Sequence, residues 1–372
     1  MAKKLLLAGG GHAHMMLLAK IGDLTTEGHE VTVVQPSNYH YYSGMGPGML
    51  SGFYTADDIR FSTRFVVERQ GGKFIRDKVI RIDAASRSVE LESGIRQEYD
   101  VLSCNTGSFI PFDNIAGDND TVFSAKPIER LLEAQKKIVA ACSKPSLTIS
   151  IVGGGAAAAE IAGNVYHLAT ENGCPDIKVN IFAGSKLMKN ASPVIQRIVR
   201  NYFEKLHIQI DESGHVERVE NSTIIMENGQ SHTADFIFLA TGVKPSPLFT
   251  ASNLSTGPDG GLLVNEYLQC RDHPEIFGGG DCIYYQPRPL EKVGVYAVRE
   301  NPVLLNNVIA SLKGGMLQPF DPGGNFLAIF NLGGEYGALQ KGFLSWGGKL
   351  SFTVKDYIDR KFMKKFHGME KE

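Results

Sequence analysis

Apolar runs alternate with a helical stretch near the start of the chain, and the same order returns near its middle. Residues 4–8 and 30–34 are apolar runs on either side of a stretch of helical character at 12–21. Residues 147–183 repeat this order, with a helix predicted at 156–168. Apolar runs separated by a helix are typical of a parallel sheet. The chain is therefore predicted to carry two copies of one β-α-β unit.

The rest of the pattern predicts further strands and helices and a distinct C-terminal segment. Strands are expected at residues 97–107, 233–242 and 274–281, and helices at residues 126–141, 191–206 and 294–312. The chain is expected to close with a hairpin at 326–346, turning at Gly333 and Gly334, and a basic amphipathic helix at about 351–367.

These elements place the chain in the α/β fold class, as two Rossmann-like domains with a small C-terminal hairpin-helix cap. One domain is predicted to be discontinuous and the other to be inserted into it. The predicted divisions are residues 1–112 with 243–318, residues 113–242, and residues 319–372.

Glycine is in excess, and the positions of the glycines change this picture. The 372 residues include 41 glycines, about 11 %, against a usual level of about 7 %. Two clusters stand between a predicted strand and a predicted helix, where small residues let the backbone approach a pyrophosphate and the helix N-terminus supplies N–H groups. Two such loops predict two dinucleotides, and the usual pair is a flavin and a nicotinamide. The motif positions are Gly9, Gly11 and His14 in the first copy and Gly153, Gly155 and Ala158 in the second.

The acidic residue that usually follows such a loop by about 20 positions, and binds a ribose, is missing from both copies. Gln35 stands in its place after the first unit. After the second unit come Ser185 and Lys186, which could accept a phosphate. The sequence therefore leaves both NADH and NADPH open.

Charge and composition exclude several classes of protein. The chain has 38 Lys plus Arg and 40 Asp plus Glu, so no basic excess points to nucleic acid. No apolar run approaches the roughly 18–20 residues that span a bilayer, and the first apolar run is too short for a signal peptide. A cytoplasmic protein is expected. Five cysteines without C-x-x-C spacing give no support for a disulfide scaffold, a redox pair or a metal site.

A set of short motifs, in this order, resembles the two-dinucleotide-fold flavoproteins over about residues 3–310. These proteins include type II NADH dehydrogenases, sulfide:quinone oxidoreductases and FAD-dependent pyridine nucleotide-disulfide oxidoreductases. The resemblance implies FAD in the discontinuous domain and NADH or NADPH in the inserted one. The motifs are Gly9-Gly10-Gly11, Asn105-Thr106-Gly107, Gly153-Gly154-Gly155 with Glu160, Ala240-Thr241-Gly242, and Gly280-Asp281.

A second set of motifs resembles more narrowly the flavoprotein module fused in front of selenide, water dikinase in some bacteria. We expect the chain to be closest to this module. The motifs are Gly10-Gly11-His12-Ala13-His14, Tyr42-Ser43-Gly44-Met45 with Pro47-Gly48, Gly294 to Arg299, and Lys355-Asp356 with Asp359 to Met363.

The resemblance implies cofactor-binding residues, position by position. The first glycine loop would cradle the FAD pyrophosphate, and Asp281 would bind the ribitol or a phosphate. The second loop would hold the pyrophosphate of the nicotinamide cofactor. The expected cofactor-binding residues are Gly9, Gly11, His12, Ala13, Gln35, Tyr42, Pro47, Thr106, Gly107, Gly153, Gly155, Ala158, Gly280, Asp281 and Val295.

Three residues are expected to be catalytic: Glu160, Lys292 and Tyr296. Glu160 matches a helix glutamate near the nicotinamide ring, although Asn164 stands where the family has a partner acid. Lys292, Tyr296 and Arg299 would face the pyrimidine end of the flavin and the acceptor. A cation there stabilises reduced anionic flavin.

Three features of the sequence each allow two interpretations. The aromatic segment at 38–47 is either a wall beside the flat flavin ring or a core loop. Cys104 and Cys282 are either buried packing or redox thiols. The C-terminal helix either lies on a membrane surface or docks on its own domain or a dimer mate.

The sequence therefore predicts an FAD-dependent NAD(P)H dehydrogenase that passes electrons to a small acceptor, with quinone as one candidate. One alternative is a sulfide- or selenide-oxidising flavoprotein. The other is a flavin-bound redox sensor, or a partner in selenium metabolism with little turnover. Peripheral contact with the inner face of the cell membrane and a homodimer are further candidates.

Overall fold

Two five-stranded parallel sheets form the centre of the protein. The structure, a computed structural model, describes residues 2–111, 114–116 and 120–371. The two repeated units seen in the sequence supply the central strand of each sheet and its neighbour. In spatial order, the first sheet is Ile276–Gly278, Val101–Cys104, Lys4–Ala8, Glu30–Gln35 and Lys73–Arg76. The second is Val122–Ser124, Phe236–Leu239, Leu147–Val152, Ile177–Phe182 and Gln209–Asp211.

The two sheets are buried on both faces, as all-parallel sheets must be. Leu7 in the first sheet and Ile149 in the second are both fully buried, each in its own apolar core. The predicted α/β class with two Rossmann-like halves is confirmed. The domain boundaries proposed from the sequence stay predictions.

Smaller sheets of two to four strands accompany these two sheets. They are antiparallel, except that Ile115–Ala116 runs parallel to Val216–Glu220 and Leu262–Val264 runs parallel to Ile283–Tyr285. The first sheet carries Val79–Asp83, Ser88–Leu91 and Arg96–Glu98, and the second carries Val216–Glu220, Thr223–Met226 and Ser231–Thr233, with Ile115–Ala116 alongside. The remaining pairs are Tyr39–Tyr41 with Arg60–Ser62, Leu262–Val264 with Ile283–Tyr285, and Ser108–Phe109 with Lys244–Pro245.

Two predicted strands are shorter than expected, because an aspartate separates each parallel strand from the antiparallel strand before it. Asp100 accepts a hydrogen bond from the Lys4 backbone N–H (2.6 Å). Asp235 accepts the equivalent bond from the Thr148 backbone N–H (2.9 Å). Each carboxylate thus satisfies the first N–H groups of a central strand, which hydrophobic periodicity cannot reveal.

The helices agree with the sequence pattern except at the first unit. They are Met15–Leu18, Ile21–Thr26, Gly46–Leu50, Ala56–Ile59, Thr63–Arg69, Glu129–Ala141, Ala156–Glu171, Pro193–Lys205, Leu248–Ala251, Gly294–Lys313 and Lys349–Lys371. Short 3-10 turns lie at His12–His14, Ser43–Met45 and Gly280–Cys282. The expected single helix at 12–21 is wrong: a 3-10 turn comes first, and the helix breaks at Ala19 and Lys20.

The C-terminal segment forms three antiparallel strands rather than the one predicted hairpin. We call Ala328–Asn331, Gly337–Lys341 and Leu344–Gly348 the tail sheet, and Lys349–Lys371 the tail helix. The first turn contains Gly333 and Gly334 as expected, and a second turn lies at Gly342 and Phe343. The prediction missed the third strand, whose residues are mostly exposed and do not alternate clearly.

The tail helix docks on its own chain through a buried ion pair. Lys355 and Asp359, one turn apart, form an ion pair of 2.6 Å, and both side chains are less than a tenth exposed. The Lys355 ammonium also donates to the Gly44 carbonyl (2.7 Å), and the Tyr42 hydroxyl donates to Asp359 (3.0 Å). One face of this helix therefore docks on its own chain, at residues 42–44 of the first predicted domain.

One disulfide is present although the cysteine spacing predicted no disulfide scaffold. It joins Cys142, after helix Glu129–Ala141, to Cys174, after helix Ala156–Glu171. The two residues are 32 positions apart, and the packing of the helices brings their C-terminal ends together. Cys104, Cys270 and Cys282 are free and buried.

No helix in the described part of the chain combines the length and the apolar character needed to cross a membrane.

The tail sheet touches helix Ala156–Glu171 so closely that only glycine fits. A Cβ at Gly163 would lie 1.9 Å from the Leu332 carbonyl oxygen. We therefore expect Gly163→Ala to destabilise the protein by about 1–3 kcal/mol, the usual cost of overpacking, and to loosen the tail. Denaturant unfolding and limited proteolysis of the tail would measure both effects.

Gly368→Ala is the matched control, since Gly368 lies in a helix with open space around its Cβ position. It should leave stability unchanged or raise it by up to about 1 kcal/mol. Equal unfolding of the two variants would show that the contact at Gly163 is unimportant.

Candidate functional site

The first glycine of each loop presses against the carbonyl of a neighbouring strand. A Cβ at Gly9 would lie 2.2 Å from the Asn105 oxygen, and one at Gly153 would lie 2.2 Å from the Ala240 oxygen. Both glycines have a positive φ, +91° and +138°. Only glycine allows this approach, so both loops leave the sheet in the same way.

Gln35 holds the first loop in place rather than facing outward. Its side-chain oxygen accepts a hydrogen bond from the Gly10 N–H (3.0 Å), and its amide N–H groups donate to the Ser37 and Tyr39 carbonyls. All of its strongest hydrogen-bonding groups are thus used within the chain. The expectation that Gln35 replaces a ribose-binding acid is therefore not supported, because the side chain is 7 % exposed and already bonded.

His14 occupies the position where the family motif has a small residue, and it is fully buried. Its Nδ1 lies 2.6 Å from the Gly9 carbonyl oxygen, and its Nε2 lies 2.8 Å from the Ser103 hydroxyl. A carbonyl oxygen can only accept, so Nδ1 donates and Nε2 accepts from Ser103. Burial lowers the pKa of His14 to about 4, which keeps it neutral. His14 thus braces the loop without crowding it.

Buried polar atoms without a partner gather around the first loop, as a bound polar ligand would require. They include Asn105 Nδ2, Thr63 Oγ1, Thr106 Oγ1 and His12 Nε2. Asn105 and Thr63 lie directly against the glycines: a Cβ at Gly11 would be 2.8 Å from Asn105 Nδ2, and one at Gly10 would be 3.5 Å from Thr63 Oγ1. Unpartnered buried polar groups are costly, so this cradle fits a polar ligand such as the FAD pyrophosphate.

Aromatic rings form a cluster beside this loop. His12 packs edge-on against His40 (4.7 Å between ring centres) and near Tyr42 (5.2 Å), while Phe362 of the tail helix lies against both His12 and Tyr42. Burial, followed by the charge of Lys126, lowers the pKa of His12 to about 4. In the described structure the predicted aromatic segment therefore packs as an interface between the first domain and the tail.

A large cavity of about 960 Å³ is bordered by both parallel-sheet halves and by the tail. This size is at the upper end for a ligand site. The cavity brings together part of the predicted site: Pro47, Gly153, Gly155, Glu160, Lys292 and Tyr296. Gly280 and Asp281 line a small recess that shares Lys292 and Tyr296 with it.

Other predicted residues lie outside both cavities. Ala158 and Ala13 are fully buried in the packing of their helix starts, so they shape the loops rather than face a ligand. Tyr42 bonds the tail helix, and Val295 lies in the first turn of helix Gly294–Lys313. Gly9, Gly11, His12, Thr106 and Gly107 belong to the first loop and its neighbouring strand end.

Gly155 differs from the other loop glycines because the fold does not require it. Its φ is −87°, an ordinary extended conformation, and a Cβ there would meet nothing within 4 Å. It lies on the wall of the large cavity, at the start of helix Ala156–Glu171. The space in front of Gly155 is therefore open for a ligand at a helix N-terminus.

Glu160 is held in the cavity by the tail sheet. Its Oε1 accepts a hydrogen bond from the Asn331 backbone N–H (2.8 Å), and Asn164 one turn later donates to the Asn331 carbonyl (3.0 Å). Burial raises the pKa of Glu160 to about 7, against the opposing charge of Lys355. The carboxyl can thus take up or release a proton near neutral pH. Asn164, which departs from the family pattern, clamps the tail to this helix.

Asp281 is engaged by a lysine that the sequence did not single out. Lys126 forms an ion pair with Asp281 (2.6 Å), and both Lys126 and Asp281 bond the Ser108 hydroxyl. Burial alone would raise the pKa of Asp281, but Lys126 and these hydrogen bonds outweigh it and lower the pKa. No motif could reveal Lys126, because 155 positions separate it from Asp281.

Lys292 and Arg299 both bind other groups of the chain through their charged ends. Lys292 forms an ion pair with Asp259 (2.8 Å) and donates to the Ile283 carbonyl. Arg299 donates to the Pro322 and Gly324 carbonyls. Lys292 still lines the cavity, but Asp259 offsets its charge, which the sequence did not predict.

The free cysteines do not reach the cavity. Cys282 donates to the Cys104 and Gly279 carbonyls, and both thiols are fully buried. Burial raises the pKa of Cys282 to about 11 and raises that of Cys104 as well. Among the described residues that line the cavity none is a cysteine, so both thiols are packing residues.

Comparison with known proteins agrees with this geometry. The pyridine nucleotide-disulphide oxidoreductase family matches residues 3–301, which cover both glycine loops and Asp281. The chain belongs to this family. The predictions of an oxidoreductase that uses FAD and a nicotinamide cofactor are confirmed at the level of the family. The narrower resemblance to a module fused to selenide, water dikinase stays a prediction.

Individual relatives cover most of the chain. Ferroptosis suppressor protein 1 of Taeniopygia guttata is 26 % identical over 304 residues, 78 % of this chain and 76 % of the relative. The type II NADH:quinone oxidoreductase of Staphylococcus saprophyticus is 24 % identical over 352 residues, 86 % of this chain and 85 % of the relative.

Two solved structures share the fold along nearly the whole chain. The NDH2 of Plasmodium falciparum, solved in complex with NADH, has a TM-score of 0.82 at 15 % identity and covers 100 % of this chain and 98 % of its own. The sulfide:quinone oxidoreductase of Aquifex aeolicus has a TM-score of 0.79 at 18 % identity, with coverages of 99 % and 92 %.

The raised pKa of Glu160 predicts a pH-dependent stability. Between its ordinary value of 4.5 and its folded value of about 7, the folded chain holds a proton that the unfolded chain has lost. Stability therefore falls as pH rises through this window, and the loss persists above it. Gln cannot ionise and keeps the acceptor oxygen for Asn331. We expect Glu160→Gln to match the parent protein below about pH 4.5 and to exceed it above pH 7 by at most about 3 kcal/mol, measured by denaturant unfolding at several pH values.

Glu212→Gln is the control with the opposite sign. Although burial opposes its ionisation, the Leu187 N–H and Arg200 lower the pKa of Glu212 in the folded protein. Its removal should therefore lower stability at neutral pH. A difference between Glu160→Gln and the parent that does not change with pH would show that Glu160 has an ordinary pKa.

Proposed function

We propose that the protein is an FAD-dependent NAD(P)H dehydrogenase that delivers electrons to a small acceptor, of which a quinone is the leading candidate. The observation that carries the proposal is that one cavity is lined by the second glycine loop, by flavin-domain residues such as Pro47 and Tyr296, and by the tail. A nicotinamide held by the second loop would thus share a space with a flavin held from the first. Family membership supports the same conclusion.

The chain supplies position and proton handling. The first loop and the unpartnered atoms of Asn105 and Thr106 would hold the FAD pyrophosphate, and Asp281 would face its ribitol. When bound, the flavin accepts hydride and passes electrons on. Glu160, with a pKa near 7, is suited to hold or release a proton beside the reacting rings. Lys292 places an ammonium at the cavity wall.

Sulfide or selenide oxidation through Cys104 and Cys282 is not favoured, because both thiols are buried away from the cavity. Among the described residues we find no feature that favours a flavin-bound sensor with little turnover. Two relatives are named type II NADH:quinone oxidoreductases. Their names support quinone as the acceptor here.

Gly155→Val tests the proposed nicotinamide site. A Cβ at this position meets no atom of the chain within 4 Å, and the two valine methyl groups would extend into the space before helix Ala156–Glu171. We expect unchanged folding and flavin content, with the apparent Kd for NADH and NADPH raised by about tenfold or more, because the valine displaces a pyrophosphate from the helix N-terminus. Anaerobic stopped-flow bleaching of the flavin by each nicotinamide would measure it, followed by reoxidation with a quinone.

Gly368→Val is the control, since its Cβ also meets nothing and it lies far along the tail helix. In this variant each nicotinamide should reduce the flavin at the same rate as in the parent protein. Purified parent protein without flavin, or flavin that neither nicotinamide bleaches, would overturn the proposed function.

Peripheral membrane contact through the tail is a further part of the proposal. Apolar side chains stand out from the second tail turn and the tail helix: Phe343 is 96 % exposed, Leu350 67 % and Tyr357 64 %. A lipid-soluble acceptor would reach the enzyme from such a surface. A homodimer stays a prediction.

Replacement of Phe343 and Leu350 by Ser should weaken co-sedimentation with anionic phospholipid vesicles, because buried apolar area drives such binding. Met316→Ser is the matched control, since Met316 is 93 % exposed outside the tail. Equal sedimentation of both variants, or no sedimentation of the parent, would exclude this surface.

A further inference from the structure

The adenosine end of the proposed nicotinamide site carries positive charge, and among the described residues no carboxylate lines it. In this fold the adenosine ribose lies at the end of the second strand of the unit, where an acid selects a free 2′-hydroxyl. Here that strand is Ile177–Phe182, and residues 183–186 after it line the large cavity. They supply a serine and a lysine and no acid.

Two lysines line this end of the cavity, and the charge of Lys186 also helps to lower the pKa of the Glu212 carboxyl behind it. Lys186 and Lys189 line the cavity and are exposed. In the part of the chain that the structure describes, neither has a carboxylate within ion-pair distance. The Ser185 hydroxyl lines the same wall.

The nearest acids are already used by the chain. Glu212 accepts the Leu187 N–H (2.5 Å) and pairs with Arg200, and Asp211 accepts the Ser213 N–H (2.8 Å). Neither lines the cavity. The carboxylates that do line it, Glu160 and Glu291, belong to the helix Ala156–Glu171 and to the approach to helix Gly294–Lys313 rather than to the end of this strand.

Ala183 takes the usual place of the acid, because it follows Phe182 in the second unit as Gln35 follows Val34 in the first. A Cβ at Gly184 would lie 2.5 Å from His215 Nδ1, and Gly184 has a φ of +72°. Both constraints disfavour a side chain at position 184, the next residue along. The ring of His215 itself lines the cavity, so this wall is built from hydrogen-bonding and cationic groups.

We propose that the site selects NADPH over NADH, and that Lys186, Lys189 and Ser185 bind the 2′-phosphate. The proposal rests on the proposed function, because it assigns the second glycine loop to a nicotinamide dinucleotide. A doubly charged phosphate gains charge-assisted hydrogen bonds from these groups, whereas a 2′-hydroxyl finds no carboxylate among the described residues of this wall to accept its hydrogen bond.

Calorimetric titration of the flavin-loaded protein with adenosine 2′,5′-bisphosphate and with AMP tests the proposal without turnover. We expect the bisphosphate to bind about tenfold tighter or more, since one charge-assisted hydrogen bond suffices for that ratio. The advantage should shrink as salt is raised. Lys186→Gln combined with Lys189→Gln should abolish most of it and leave AMP affinity unchanged.

Lys178→Gln is the matched control. Lys178 is exposed on strand Ile177–Phe182 and does not line the cavity, so its loss removes a charge while keeping the ratio of the two affinities. Equal binding of the two nucleotides, with flavin bleached by NADH and NADPH alike, would overturn the preference but keep the proposed function. A ratio that survives in the double variant would overturn the assignment to these lysines. Failure of both nucleotides to bind would overturn the dinucleotide site itself.

Discussion

The absence of two Cβ atoms determines where both halves of the protein can hold a ligand. Gly9 and Gly153 each lie against the carbonyl oxygen of a neighbouring strand, at positions where any Cβ would be 2.2 Å away. The middle glycines are also in close contact, each with a residue that follows the next strand of its sheet: Gly10 lies against Gln35, and Gly154 lies against Ala183. The helices therefore start close above the sheets, and their N-termini face the strand ends. The cavity and the cradle both depend on this packing.

The two loops are alike in backbone but differ in what surrounds them. Around the first, Gln35 and His14 use their hydrogen bonds to brace the turn, and nearby amide and hydroxyl groups are left for a ligand. Around the second, Gly155 stands open on a cavity wall. The first loop thus suits a cofactor that stays bound, and the second suits one that enters and leaves.

Sequence patterns predicted what is local and missed what joins distant segments. Strands, glycine loops and the Glu160 helix are visible because their signals lie within about 20 residues. Lys126 beside Asp281, and Asn331 beside Glu160, could not be predicted, because only tertiary packing brings them together. For the same reason the sequence could not predict that Lys292, expected to carry a free charge, is paired with Asp259. The third strand of the tail sheet was missed for a different reason, since it has no clear alternation.

The bond from Asn331 to Glu160 has a consequence for biosynthesis. Both parallel sheets and both glycine loops precede residue 279, whereas the tail that positions Glu160 is translated afterwards. The Glu160 carboxyl therefore gains its Asn331 partner only after both glycine loops have been synthesised. A chain clipped before the tail would keep this acid on its helix but without the hydrogen bond that orients it.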